Sequence, residues 1–292
     1  MIDSLGAGAL LFAANLDITQ SRINQLNSEI TSGLRVSKAG DDPSAVQPIL
    51  AIQSEIARVT QVQSNLNSVS AETASADSAL QSATNMLDSA LSVAAQNSSS
   101  PASATSMAAG AQQVQQILQQ MVNIANTAVN GRYIFGGDAT STAPYAWTAG
   151  AATQVSSAPS TRIIEDAAGN QLQPLAAAQD IFGDSFQALG KLASALASGS
   201  PDAVQSTIAG LKTAQSTLSG QLVSVGDAQT WLQNASSDAA SRLTNLQSSL
   251  SALRDTDMPT AITQLTIAQT AEQAAIQAEA QVPRTSLFNY LG

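Results

Sequence analysis

The sequence predicts a mainly α protein: long antiparallel helical rods in a coiled-coil bundle, paired terminal helices, and one small β or irregular insertion. Three observations carry that prediction. Apolar residues recur at steps of three and four through most of the 292 residues, the spacing of a buried helix stripe. Aromatic residues make up only 3% of the chain, too few for one large globular core but suited to narrow seams of Ala, Leu, Val and Ile. The segments also follow a nearly mirror-symmetric order: terminal helix, acidic break, long helix, turn and insertion, long helix, acidic break, terminal helix. Such nesting brings both ends of the chain to one end of a bundle.

Residues 1–40 are expected to form an N-terminal helix that pairs with 258–292. Its stripe is Leu16, Ile23, Leu26 and Ile30, cut off at Gly33, where a glycine can leave helical geometry. Residues 41–135 form the first part of a rod domain. After Pro43 the stripe runs through Ile52, Ile56, Val59, Val62, Leu66, Val69 and on to Ala94, which predicts one continuous helix over 46–96. "NSSSPAS" at 97–103 is polar and holds a proline, so it reads as a turn. A third stripe, Met107 through Val114, Ile117 and Met121 to Ala128, packs back against the second.

Composition changes at "NGRYIFGGDATSTAPYAW", residues 130–147. Residues 136–183 are rich in Gly, Pro, Ser and Thr and are expected to form a small inserted β or irregular domain. A strand pair is expected from "TRIIED" and "QLQPL" around the turn "AAGN", and Tyr133, Phe135, Tyr145 and Trp147 are expected to supply the insertion's own core. Helical signals resume at Ile181, and residues 184–257 form the second part of the rod, punctuated by "SGSPDA" at 198–203 and striped from Leu211 to Leu253. Residues 258–292 form the C-terminal helix through Ile262, Leu265 and Ile276.

The two breaks concentrate the chain's chemistry. "SGLRVSKAGDDPSA" at 32–45 and "RDTDMPTA" at 254–261 gather charge in a protein with only 11% charged residues. Asp41 and Asp42 form a pair that could in principle act as acid and base or hold a cation, but no further ligand or partner lies at a recognisable spacing. The structural reading suits every residue: Gly33 and Gly40 end a helix, Pro43 opens the next, and Asp41 or Asp42 caps its free N–H groups. Asp255 and Asp257 repeat the arrangement before the final helix. Gly33, Gly40, Asp41, Asp42, Pro43, Asp255 and Asp257 are thus read as hinge and capping residues, with Arg35 and Lys38 available to pair with the acids.

Other functions are disfavoured by what is scarce. The chain has no His and no Cys, which removes the imidazole base, the thiolate nucleophile and nearly all zinc chemistry; no metal, cofactor or catalytic residue is expected. The 11 basic residues are scattered and outnumbered by 21 acidic ones, giving a net charge of −10, so no nucleic acid partner is expected. No apolar run has the ~20 residues of a membrane span, and no membrane partner is expected. The apolar run from Leu5 to Ala14 follows Asp3 with no basic residue before it, unlike a cleaved signal peptide. Between Val59 and Gly131 only Glu72, Asp77 and Asp88 are charged, and so uncharged a flank suggests helix faces that also meet protein. "NGRYIFGG" lacks the lysine of a phosphate loop and reads as a turn.

Taken in order, "SGLRVSKAGDDPSA", "NGRYIFGG", "VGD" at 225–227 and "SLFNYL" at 286–291 resemble the bacterial flagellin and hook–filament junction family over about 16–135 and 181–292. Asp-Asp-Pro at 41–43, "YIFGG" followed by "PY", and "SLFNYL" resemble the junction members, whereas "QVP" at 281–283 resembles filament flagellins. The resemblance implies a structural flagellar subunit, exported without a cleaved signal peptide, that self-associates and meets other axial proteins, namely a hook-associated protein and flagellin, with an export chaperone at its C-terminal region. It places subunit contacts on Leu16, Ile23, Leu26, Ile30, Ile262, Leu265, Ile276, Leu287, Phe288 and Leu291. An adhesin or enzyme displayed on the insertion is the reading from another class.

Overall fold

The computed structural model describes residues 2–99 and 103–281. In chain order the elements are α1 (Ile2–Ser32), α2 (Pro43–Asn97), α3 (Ala104–Ala125), β1 (Ala128–Val129), β2 (Arg132–Tyr133), β3 (Tyr145–Thr148), β4 (Ala151–Gln154), β5 (Ile164–Glu165), β6 (Gln171–Leu172), α4 (Ala178–Ser198), α5 (Pro201–Arg254) and α6 (Met258–Gln281). The strands form three antiparallel pairs, β1–β2, β3–β4 and β5–β6. The chain is mainly α, as its periodicity predicts. It divides into two compact units, one made of residues up to Ala57 and from Leu243, the other of Arg58–Arg242; α2 and α5 contribute to both.

Local chemistry sets the helix ends. α1 stops at Gly33, whose φ of +71° lies where only glycine sits without strain. Gly40, expected to share that task, keeps a negative φ with open space around it, because the helix has already ended seven residues earlier. α3 is capped by Ser103, whose hydroxyl accepts from the Ser106 N–H at 3.1 Å. The second rod segment is two helices: α4 ends on Gly199 in the left-handed region, and Pro201 opens α5 with the Ser200 hydroxyl accepting from Ala203 N–H.

In the unit of Arg58–Arg242, α2 and α5 run antiparallel. Gln229 donates to the Thr73 carbonyl at 3.2 Å and Gln215 to the Asp88 carboxylate, so falling numbers on α2 meet rising numbers on α5. The facing positions of α2 include Ala76, Ala83, Ala90 and Ala94, all fully buried; small side chains let helix axes approach closely and explain how such a core forms with few aromatics. α3 and α4 complete it with Val114, Met121, Leu189 and Leu192.

The segment expected to be a separately cored insertion shares this core instead. Phe135 is fully buried and meets Phe182 of α4 edge-on, centroids 5.2 Å apart at 81°, and Tyr145 tilts against Phe186 at 4.4 Å. Trp147 packs half-buried on the same cluster, while Tyr133 is half-buried at β2. Residues 136–183 accordingly fall within the compact unit of Arg58–Arg242. The physical reason is size: hairpins of two to four paired residues cannot bury an apolar face alone. Gly136 and Gly137 make the close approach possible, since Gly137 has φ +58° and a Cβ there would collide with the carbonyl oxygens of Ala158 and Pro159. Asp138 fixes the same crossing by accepting from the Thr161 N–H at 3.0 Å and hydroxyl at 2.8 Å.

β5 and β6 are the expected strand pair, with Ile164 opposite Leu172. Asp166 holds the "AAGN" turn, accepting from the N–H groups of Ala168 and Asn170 and from the Asn170 side chain, each at 2.8 Å. The burial of Asp166 raises its pKa, but these bonds outweigh that and hold it below the usual carboxylate range. The hairpin lies as a strap over the two long helices. Ile164 and Leu172 pack on Leu66, Val69, Leu232 and Ala235; Arg58 of α2 and Arg242 of α5 both donate to the Ala167 carbonyl, at 2.9 and 3.4 Å; and Arg162 pairs with buried Glu72 at 2.6 Å.

Candidate functional site

The unit containing the chain's two ends gathers the breaks singled out in the sequence. They bond to each other. Leu34 bridges Asp255, Thr256 N–H donates to the Gly33 carbonyl at 2.9 Å, and the Arg254 carbonyl accepts from Arg35 and Val36 N–H at 2.8 and 3.1 Å. Arg35 extends its guanidinium to the Leu253 carbonyl and to Asp42, the latter at 3.0 Å. Beneath them Val36, Ala45, Ile49 and Leu250 form a small apolar cluster. The two segments read as hinges thus bond to each other in one joint.

Each acid has its own task. Asp42 caps α2, accepting from the Ser44 hydroxyl at 2.6 Å and N–H at 3.2 Å and from Ala45 N–H at 3.3 Å. Its pKa is pushed down to about 2, first by the Ser44 hydroxyl and then by Arg35. Asp41 does not cap the helix; it closes the preceding loop, one oxygen accepting from Ser37 N–H at 2.9 Å, the Ser37 hydroxyl at 3.0 Å and Lys38 N–H at 2.8 Å. Those bonds, the Lys38 amide foremost, lower its pKa. Asp257 caps α6 through Thr260, whose hydroxyl donates at 2.8 Å. Asp255 belongs to the joint rather than to the cap, its pKa lowered first by the Ser251 hydroxyl and then opposed by burial and aided by Arg254. Asp41 and Asp42, the pair weighed as acid and base, are committed to backbone and hydroxyl donors and, for Asp42, to the Arg35 guanidinium.

α1 and α6 pair beyond the joint. Ile23, Leu26 and Ala261 are buried, and Arg22 donates to Gln264 at 2.7 Å and Gln25 at 3.1 Å. Leu16, Ile30 and Leu265 are half-buried, while Ile262 and Ile276 keep about half their surface exposed. Leu287, Phe288 and Leu291 lie outside the described residues. The same helices also expose Leu10 (74%), Leu11 (66%), Ile18 (67%) and Ile267 (63%), residues that the stripe reading passed over. For Leu10 and Leu11 a signal was present: "ALLFAA" at 9–14 is apolar on every face, more than one partner helix can cover. Among the described residues no group of His, Cys, Asp or Glu is placed to hold a metal ion; the pair instead leaves several large apolar side chains of both helices exposed.

Two family models match the chain. That of the bacterial flagellin N-terminal helical region matches residues 7–140, and that of the bacterial flagellin C-terminal helical region matches residues 202–291. The stretch between them holds β3 to β6 and α4. Comparison with curated proteins gives no match. Among solved structures, the fold is similar to that of a protein described as a flagellar hook-associated protein from Vibrio parahaemolyticus (17% identity, 73% of this chain and 99% of that one, TM-score 0.65). It is also similar to FlgL from Bacillus cereus (18%, 70% and 100%, TM-score 0.57) and to FlgL from Xanthomonas campestris (15%, 68% and 98%, TM-score 0.60).

Proposed function

This chain belongs to the bacterial flagellin family, and on that premise we propose that it is a structural subunit of the flagellum at the junction between hook and filament. The observation that carries a structural role is the apolar surface of paired α1 and α6, with Leu10, Leu11, Ile18, Ile262 and Ile267 exposed. At ~25 cal/mol per Å², covering such side chains with neighbouring subunits supplies the drive for assembly. The junction role rests on "DDPSA", "YIFGG" with "PY", and "SLFNYL"; the solved relatives support the fold that role uses.

In this reading the partners are further copies of the chain, a hook-associated protein on one side and flagellin on the other, with an export chaperone engaging the C-terminal region before assembly. The protein lies outside the cell, exported without a cleaved signal peptide, and it uses neither catalysis nor a cofactor, nucleic acid or membrane. Among the described residues no helix is long and apolar enough to cross a membrane. The competing reading is a filament flagellin, favoured by "QVP" at 281–283.

Purified chain seeded with filament fragments and viewed by electron microscopy separates the two. A capping layer that does not elongate is expected, together with a copy number in isolated flagella comparable to other junction components. Long homopolymeric tubes would replace the junction assignment with the filament one.

A further inference from the structure

The β1–β2 hairpin turns through Asn130 and Gly131, with φ of +52° and +76°. This is the two-residue turn that the sequence Asn-Gly favours. Of the chain's asparagines only Asn130 is followed by glycine. Both residues are exposed, among the described residues neither the Asn130 carboxamide nor the Gly131 N–H has a hydrogen-bond partner, and a Cβ placed on Gly131 would meet nothing within 4 Å. An unoccupied backbone nitrogen therefore follows an unoccupied side-chain amide in open solvent. Most other asparagines sit inside helices, where the following N–H is held by a backbone carbonyl.

We infer that Asn130–Gly131 is a site of spontaneous covalent modification, in which the turn converts to aspartyl and isoaspartyl forms with water as the only co-reactant. The Gly131 nitrogen gives its proton to solvent and attacks Asn130 Cγ; the new N–Cγ bond forms as the Cγ–Nδ2 bond breaks, and ammonia leaves. Water then opens the cyclic imide. Attack at Cγ restores the backbone and leaves an aspartate; attack at the Asn130 backbone carbonyl leaves the chain linked through the side chain, one methylene longer. The net change exchanges ammonia for water and adds one negative charge beside Arg132. In the isoaspartyl form the added methylene falls inside the two-residue turn that joins β1 to β2, where Val129 pairs with Arg132, so the lengthened turn no longer matches the register of the hairpin.

The test is storage of the intact folded chain at mildly alkaline pH with peptide mapping over time, helicity being followed in parallel. Asn130 is expected to gain the mass of an amide-to-acid change before any other asparagine, to label with a protein isoaspartyl methyltransferase, and to shift the isoelectric point downward. Gly131→Ala should slow the conversion. An unmodified Asn130 after other asparagines have converted, or an equal rate in a Gly131→Ala variant of unchanged helicity, would overturn the inference.

Discussion

The two compact units solve burial in opposite ways. In the unit of Arg58–Arg242, four helices and the first two strand pairs enclose a core in which Phe135, Phe182, Leu189 and Leu218 are fully buried, and β5–β6 covers a smaller separate cluster. In the unit of the chain ends, α1 and α6 bury Ile23, Leu26 and Ala261 and leave other leucines and isoleucines in solvent. The first unit is complete in one molecule. The second leaves large apolar side chains exposed, and on the proposed function stability of the subunit and competence to assemble reside in different residues.

Removing residues 262–292 should separate these properties most completely. Incorporation into flagella is expected to be lost, while circular dichroism of the purified chain retains a cooperative helical transition from the remaining unit. Collapse of the whole helical signal would show that the units are energetically inseparable.

Single substitutions sharpen the contrast. Phe182→Ala removes a ring enclosed by Phe135 and Phe186 and should cost about 3–5 kcal/mol in denaturant unfolding of the free chain. Leu11→Ala should change that measurement by less than about 0.5 kcal/mol, yet weaken assembly as if each chain lost about 1.5–3 kcal/mol of burial. Equal effects of Leu11→Ala on free and assembled protein would contradict the division. A smaller effect is expected at the strap. Arg162→Ala leaves buried Glu72 without its cation and should cost about 1–3 kcal/mol, read as faster amide exchange across residues 163–173 with α3 and α4 unaltered.

The gentlest probe is acid. The carboxyls of Asp41, Asp42 and Asp255 all sit below the ordinary value of 3.8. Groups with depressed folded pKa values stabilise above the unfolded value, and that contribution fades as pH falls through the folded one. The joint should therefore hold from neutral pH to about 4 and loosen toward about 2, the value for Asp42. Nuclear magnetic resonance of the Ser44 and Ala45 amides would follow it, and a midpoint at 3.8 would show the cap absent in solution. In the other unit Asp166 of the strap is likewise held low, but the Phe135 cluster is built from apolar side chains, so its core should be less responsive over that range.

Much of the fold was legible because its signals are local. Gly33, Asp42 and Pro43 end one helix and begin the next by their own backbone preferences, and "AAGN" specifies a turn within five residues. The β3–β4 hairpin was less visible: its turn is Ala149–Gly150, with φ +52° and +80°, and alanine does not advertise that geometry. Long-range partners were not legible at all. Periodicity marks Phe182 and Phe186 as one face of α4 but cannot say that Phe135 and Tyr145 cover it. Arg58 and Arg242 read as two isolated charges on different helices, and only the chain's path brings them to the same Ala167 carbonyl. At the candidate site the stripe located Ile23 and Leu26, which the pair itself buries; the residues left outward needed the structure, since a stripe does not distinguish a face covered within the molecule from one left uncovered.

The bond from Arg22 to Gln264 spans 242 residues of chain. Closing a flexible loop of that length costs about 5 kcal/mol of entropy by the (3/2)RT ln n relation, several times what an exposed hydrogen bond of ~1 kcal/mol returns. Pairing of α1 with α6 is therefore conditional on the intervening helices having already shortened the path between them. In kinetic terms this predicts a place on the native side of the folding barrier: Leu26→Ala is expected to accelerate unfolding in a stopped-flow measurement while leaving the folding rate unchanged.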